Sequence, residues 1–317
     1  WPDFSKPVQA MFAGIKNAGK LFGAILKVPL RYPAMLLPLL LVWLVYAPTV
    51  VYLQFYYDWE NATTTEALLV IFAFGFGLSV LLSISCFILL EQIRLIESGQ
   101  ELSLTSPLPA TFHNVWRALP VTFLWSVIWF ILTVIELLVR RKNEQPDRNA
   151  TPENIARTFA GTGSFSLSGA FFDALRKGVR MIAFLIFPAI AWEKHSKPIR
   201  RGLAVARTHK AEFATGFGLT EIAAAVVFLP PVLIIYIVDQ TDATLPDSAW
   251  FAIIIYCGFA WSLSMLIEQL FTAELYLWDM KWRKACEKAK SEGTTLPTLG
   301  QVPRPSILDD VAEMIEL

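Results

Sequence analysis

The sequence predicts an all-α, polytopic membrane helix bundle with five or six membrane segments, two parallel-repeat hairpins and interfacial amphipathic helices. Three observations carry that expectation. Of 317 residues, 55% are hydrophobic and 17% charged, and the mean hydropathy is +0.50, whereas a soluble domain is about one quarter charged. Long apolar runs recur, several reaching the roughly 20 residues that cross a bilayer. Two distant stretches also match at one offset: Pro48 with Pro231, Gly75 with Gly258, Ser79 with Ser262 and Glu91 with Glu274 (231 − 48 and 274 − 91 both give 183).

The chain reads as a single membrane domain, 1–317. Residues 1–31 form a basic interfacial helix: Phe4, Val8, Met11, Phe12, Ile15, Gly19, Phe22 and Leu26 recur at helical spacing, with Lys16 and Lys20 on another face. The first repeat hairpin, 32–91, holds runs at 32–57 and 67–90. The middle segments, 119–192, hold a run at 119–139 and a short one at 179–192 interrupted by Pro188. Lengthening the short run would bring in Arg176 and Lys177, which is awkward in hydrocarbon. Crossing and re-entry therefore both stay open for this pair. The loop 140–169 between them is polar and Gly/Ser-rich and reads as mobile. A second basic interfacial helix, 194–213, precedes the second repeat hairpin, 214–277, with runs at 214–238 and 250–277. The tail, 279–317, holds Pro297, Pro303 and Pro305 and an acidic stretch, 307–317, able to form an amphipathic helix.

Basic residues orient the spans. The 27 basic residues balance 27 acidic ones, but they are not evenly placed. Lys6, Lys16, Lys20, Lys27 and Arg31 precede the first span, Lys194 to Lys210 is strongly basic, and Lys281, Arg283 and Lys284 follow the last. The connections at 58–66 and 239–247 carry acids and no base. The positive-inside rule then puts both termini in the cytoplasm of a bacterial inner membrane. If the third span crosses, Arg157, Arg176 and Lys177 fall on the outer side. The chain starts at Trp1 rather than Met, so an upstream piece is expected, and the first apolar run is too long and too far in for a removable signal.

Carboxylates inside apolar runs are the candidate functional groups. Glu268, Gln269, Glu274, Glu91, Glu136 and Glu221 make up the intramembrane polar set, because a buried charge needs a partner, water or a proton. Glu91 and Glu274 occupy equivalent repeat positions and could face each other. They and Glu136 could also snorkel to Arg94, Lys281 or Arg140. Lys16, Lys20, Lys27, Arg200, Arg201, Arg207 and Lys210 are candidate contacts for anionic lipid. Pro48 and Pro230-Pro231 fall within spans, as at a transport site or a packing kink. His113, His195 and His209 are not spaced for a metal, and neither are Cys86, Cys257 and Cys286. No cofactor, metal, catalytic set or nucleic-acid partner is expected.

The runs Gly14-Ile15-Lys16 through Leu26-Lys27 and Tyr32-Pro33-Ala34-Met35-Leu36-Leu37-Pro38, with Phe187-Pro188-Ala189-Ile190-Ala191-Trp192-Glu193 and Pro198-Ile199-Arg200-Arg201-Gly202-Leu203, resemble an uncharacterised bacterial family of multi-span membrane proteins. The resemblance covers about two thirds of the chain, departs at the longer, more charged middle loop, and implies fold and location only. The expected role is a non-catalytic scaffold or accessory subunit that organises lipid or a larger membrane complex, working with the bilayer and with other subunits or further copies. A transporter or channel using the intramembrane carboxylates is the alternative.

Overall fold

The computed structural model describes residues 5–59, 61–97, 107–140, 150–161, 167–193, 197–241 and 243–303. The described chain is all-helical: α1 (Ser5–Ile25), α2 (Val28–Arg31), α3 (Leu37–Val51), α4 (Thr64–Glu97), α5 (Leu108–Arg140), α6 (Pro152–Ala160), α7 (Leu167–Ala191), α8 (Pro198–Thr208), α9 (Lys210–Thr241) and α10 (Asp247–Ser291). Five stretches are long and apolar enough to cross a membrane: 33–56, with α3 at its centre, and α4, α5, α9 and α10. This is a multi-pass membrane bundle.

Local signals set the helix ends. Thr63 and Glu66 cap α4 reciprocally: the Thr63 N–H donates to Glu66 Oε2 at 2.8 Å, and the Glu66 N–H to Thr63 Oγ1 at 3.2 Å. Past Pro48, α3 loosens into a π-turn at Tyr52–Tyr56. One end of the bundle holds α1, α8 and the start of α9. The opposite end holds the two acidic hairpin turns. These are called the basic and acidic ends below.

The middle of the chain forms two long helices. α5 runs 33 residues to the acidic end, and α7 returns 25 residues, about 37 Å at 1.5 Å per residue, to the basic end. α7 packs against α5, α8, α10 and α4, so a segment too charged to count as a span by composition sits inside the bundle.

Part of the stretch expected to be a mobile loop is ordered as α6. Thr151 Oγ1 accepts the Asn154 N–H at 3.2 Å, Pro152 occupies the first turn, and Gly161 closes the helix at φ 73°. The helix is held by burial: Ala156 and Ala160 pack with Ile235, Trp250, Ile253 and Cys257. The Phe159 ring sits 4.8 Å from Trp43, and Arg157 makes two hydrogen bonds to Asp239, at 2.6 and 3.1 Å. α6 thereby fills the acidic-end mouth between α3, α9 and α10. The sequence pattern missed it because nine residues carry too little periodicity to outweigh a Gly/Ser-rich surround.

α1 docks on the protein through a narrow face. Ala18, Leu21 and Ile25 are fully buried, whereas Ile15 and Leu26 are exposed. The reason is close approach. Gly14 has no room for a side chain beside Ala211, so small residues at the contact bring α1 onto α9. The same logic fixes α9 on α10. A Cβ at Gly216 would collide with the Phe271 ring, while Gly218 faces open space. The tail folds back on α10: Trp278 Nε1 donates to the Val302 carbonyl at 3.0 Å, and Trp282 Nε1 to that of Pro297 at 2.8 Å. The acidic stretch 307–317 lies outside the described residues.

Replacing Gly216 by Val should destabilise the fold by about 1–3 kcal/mol through overpacking. Gly218→Val carries the same β-branching cost without the clash and should unfold close to the wild type. Thermal unfolding of both variants in detergent checks this.

Candidate functional site

Four charged residues of α7, Asp173, Arg176, Lys177 and Arg180, follow one another at i, i+3, i+4 and i+7. That spacing puts them on one helical face. Three neighbouring helices answer with carboxylates. Arg176 pairs with Glu136 of α5 and, at 2.8 Å, with Asp173. Lys177 Nζ lies 2.6 Å from Glu221 of α9 and 3.5 Å from Glu268 of α10. Arg180 grips Glu268 with both arms of the guanidinium, Nε to Oε2 at 2.8 Å and Nη2 to Oε1 at 2.9 Å. Aromatic faces complete the lining, with Arg176 over Trp129 at 5.8 Å and Lys177 over Phe217 at 5.2 Å.

Burial separates the members. Glu268 is 2% exposed, so its fork with Arg180 works in a low dielectric, where a planar bidentate pair is strongest. Glu221, with its side chain 63% exposed, closes the network from the α9 rim. The arrangement holds a cationic helix in an apolar bundle. Glu268 is shared by two cations, Arg180 and Lys177.

A second charged cluster stands at the basic end. Glu193, just past α7, accepts Arg201 Nε at 3.2 Å and pairs with Arg283. Asp279 of α10 pairs with Arg201, accepts Arg283 Nε at 3.0 Å and meets His209 Nε2 at 3.0 Å. Arg201 also lies over the Tyr276 ring at 5.4 Å. These contacts tie α8, the α8–α9 junction and α10 to the end of α7. Burial alone would raise the Glu193 carboxyl, but the Arg283 hydrogen bond and the Arg201 charge outweigh it and hold the group below the usual carboxylate range.

The expected polar set divides. Glu136, Glu221 and Glu268 converge on α7. Gln269 is fully buried beside them in sequence, and neither amide atom meets a hydrogen-bond partner among the described residues. Glu274 is fully buried. Glu91 pairs with Arg94 at 2.7 Å and lines a cavity of about 620 Å³ with His113, Asn114 and Trp192. Glu136 has a partner on α7, Arg176, because α7 packs along α5. Arg176 and Lys177, expected beyond the third span, meet Glu136, Glu221 and Glu268. They are tied inside the bundle.

Among the expected lipid contacts, Lys16, Lys20, Arg200, Arg207 and Lys210 are exposed and Lys27 is half-buried. Arg201 is a correction: it turns inward because Glu193 and Asp279 are both within reach. Sequence reasoning missed Asp173, Arg180, Glu193, Asp279 and Arg283. The i, i+3, i+4, i+7 charge stripe of α7 was the available signal for the first two. No family model, curated protein or solved structure matches the chain.

Removing Arg180 alone, as Arg180→Met, should cost roughly 3–5 kcal/mol, because Glu268 stays buried with only Lys177 near it. The double change Arg180→Met/Glu268→Met should recover most of that loss, as read from unfolding midpoints in detergent. For Glu193 the sign is that of a depressed carboxylate. Its contribution is present above the unfolded value of about 4.3 and disappears as pH falls through the lower folded value. Glu193→Gln should therefore flatten the acid side of a plot of unfolding temperature against pH.

Proposed function

We propose that this chain is a non-catalytic scaffold or accessory subunit of a bacterial inner membrane, with its basic end and both termini in the cytoplasm. It organises lipid or a larger membrane complex. One observation carries the reading: Glu268 is forked by Arg180 and approached by Lys177 while almost wholly shielded. A transport carboxylate has to exchange partners with water or cargo. Glu268 has both oxygens committed, and it lines neither basic-end cavity described here. The seating of α6 in the acidic-end mouth adds support for a closed bundle.

Helix boundaries favour an origin by duplication. α4 starts at Thr64 and α10 at Asp247, and α1 ends at Ile25 and α8 at Thr208 (247 − 64 and 208 − 25 both give 183). The contacts have diverged, since α3 packs on α10 whereas α4 and α9 form no comparable pair among the described residues. Gly75 seats Trp129 and its counterpart Gly258 seats Trp43. A divergent pair suits a scaffold better than two matched, rocking halves. The wide apolar faces of α9 (Ile222, Val226, Leu233, Ile237) and α3 (Leu41, Leu44, Val45) stay exposed, available to lipid, other subunits or further copies.

In proteoliposomes carrying a proton or ion gradient, the wild-type protein should dissipate that gradient no faster than protein-free vesicles. A protein-dependent flux abolished by Glu268→Gln would instead establish the transporter reading.

A further inference from the structure

We propose that the groove between α5 and α8 at the basic end is a binding site for the headgroup of an anionic phospholipid. A cavity of about 600 Å³ opens there, lined by Arg117, Lys197, Arg200 and Arg207 with Pro120, Val121, Ile199 and Leu203 beneath them. Its lining includes cations and no acid. Elsewhere, Arg176, Lys177, Arg180, Arg201 and Arg283 each meet a carboxylate. Among the described residues, Arg200 and Arg207 form no ion pair, and Arg117 makes a 3.5 Å hydrogen bond to the Ile190 carbonyl. The nearest acidic group in sequence, Glu193, is already held by Arg201 and Arg283.

Depth points to lipid as the occupant. On α5, Phe112 and Trp116 are exposed just before Arg117, and exposed aromatics of this kind mark the headgroup layer. One turn further along, Pro120, Phe123 and Leu124 present an exposed apolar surface along which acyl chains can run. The first turn of α8 also opens on the groove through Pro198, Ile199 and Arg200, and no side chain caps it. Its unpaired amides favour an anion. Guanidinium forks suit phosphate oxygens, and a basic pocket between a span and an interfacial helix matches an anionic headgroup with its tails in the bilayer.

This site deepens the scaffold reading by naming the lipid class it organises, and the measurements keep the two apart: flux tests the scaffold, lipid retention tests the groove. Full-length protein is reconstituted with equal cardiolipin and phosphatidylcholine, extracted in detergent, and the retained lipid read by native mass spectrometry. Wild-type protein should retain cardiolipin selectively. Arg200→Gln and Arg207→Gln, both at exposed positions, should each lower the retained fraction roughly fivefold, and Arg117→Gln should add to the loss. Lys284→Gln/Lys290→Gln, at exposed positions of α10, should leave it unchanged. Equal loss in the lysine variant would reduce the effect to general surface charge and overturn the site. Inorganic phosphate that displaced cardiolipin at millimolar concentration would also overturn it, making the groove a soluble-anion site. Retention unchanged in all three arginine variants would do the same.

Discussion

The fork between Arg180 and Glu268 is the contact on which the architecture turns. α7 carries three cations and an acid on one face, and hydrocarbon would reject that face if the helix stood alone. The bundle accepts it because Glu136, Glu221 and Glu268 reach in from α5, α9 and α10. Of these, Glu268 is the most buried and the only one gripped at both oxygens by a single guanidinium. Its loss would strand a charge in the driest part of the molecule. Such pairs usually do little for net stability compared with apolar packing. What this one contributes is position: it sets which face of α7 meets which helix.

Small residues provide the complementary constraint. Where charges fix the rotation of α7, glycines fix the distances of the other helices. Gly216 admits Phe271, Gly258 admits Trp43 and Gly75 admits Trp129. Because lipid offers no hydrophobic drive between helices, close backbone approach and dispersion have to hold them together. The large aromatic partners fill these notches. The protein therefore uses two kinds of specificity, ionic along α7 and steric around it.

Much of this was legible in the sequence, and the failures have a common cause. The five apolar spans announce themselves because each is uniformly greasy, and the hairpins show through their acid-only turns. α7 was half hidden. Only the 179–192 part looked like a membrane segment, since Arg176 and Lys177 are costly in isolation and their partners lie 40 or more residues away. A linear reading prices each charge by itself, whereas the fold prices the pair. The same blindness applies to Arg201, which looks like any basic interfacial residue until Asp279, 78 positions later, is placed beside it. Glu136, Glu221 and Glu268 were recognised as candidates but not as members of one network, because their meeting point is on a helix that the hydropathy pattern discounted.

The separation of these partners along the chain also bears on biosynthesis. Glu136 is synthesised 40 residues before Arg176, but Glu268 follows Arg180 by 88. As α7 leaves the ribosome, the acid that will clasp Arg180 does not yet exist. The helix then has to wait beside the insertion machinery or at the membrane surface, with part of its cationic face in water, until α9 and α10 emerge. Assembly cannot proceed one helix at a time from the N-terminus. The last helix made closes the middle of the protein, and every earlier helix is provisional until it does.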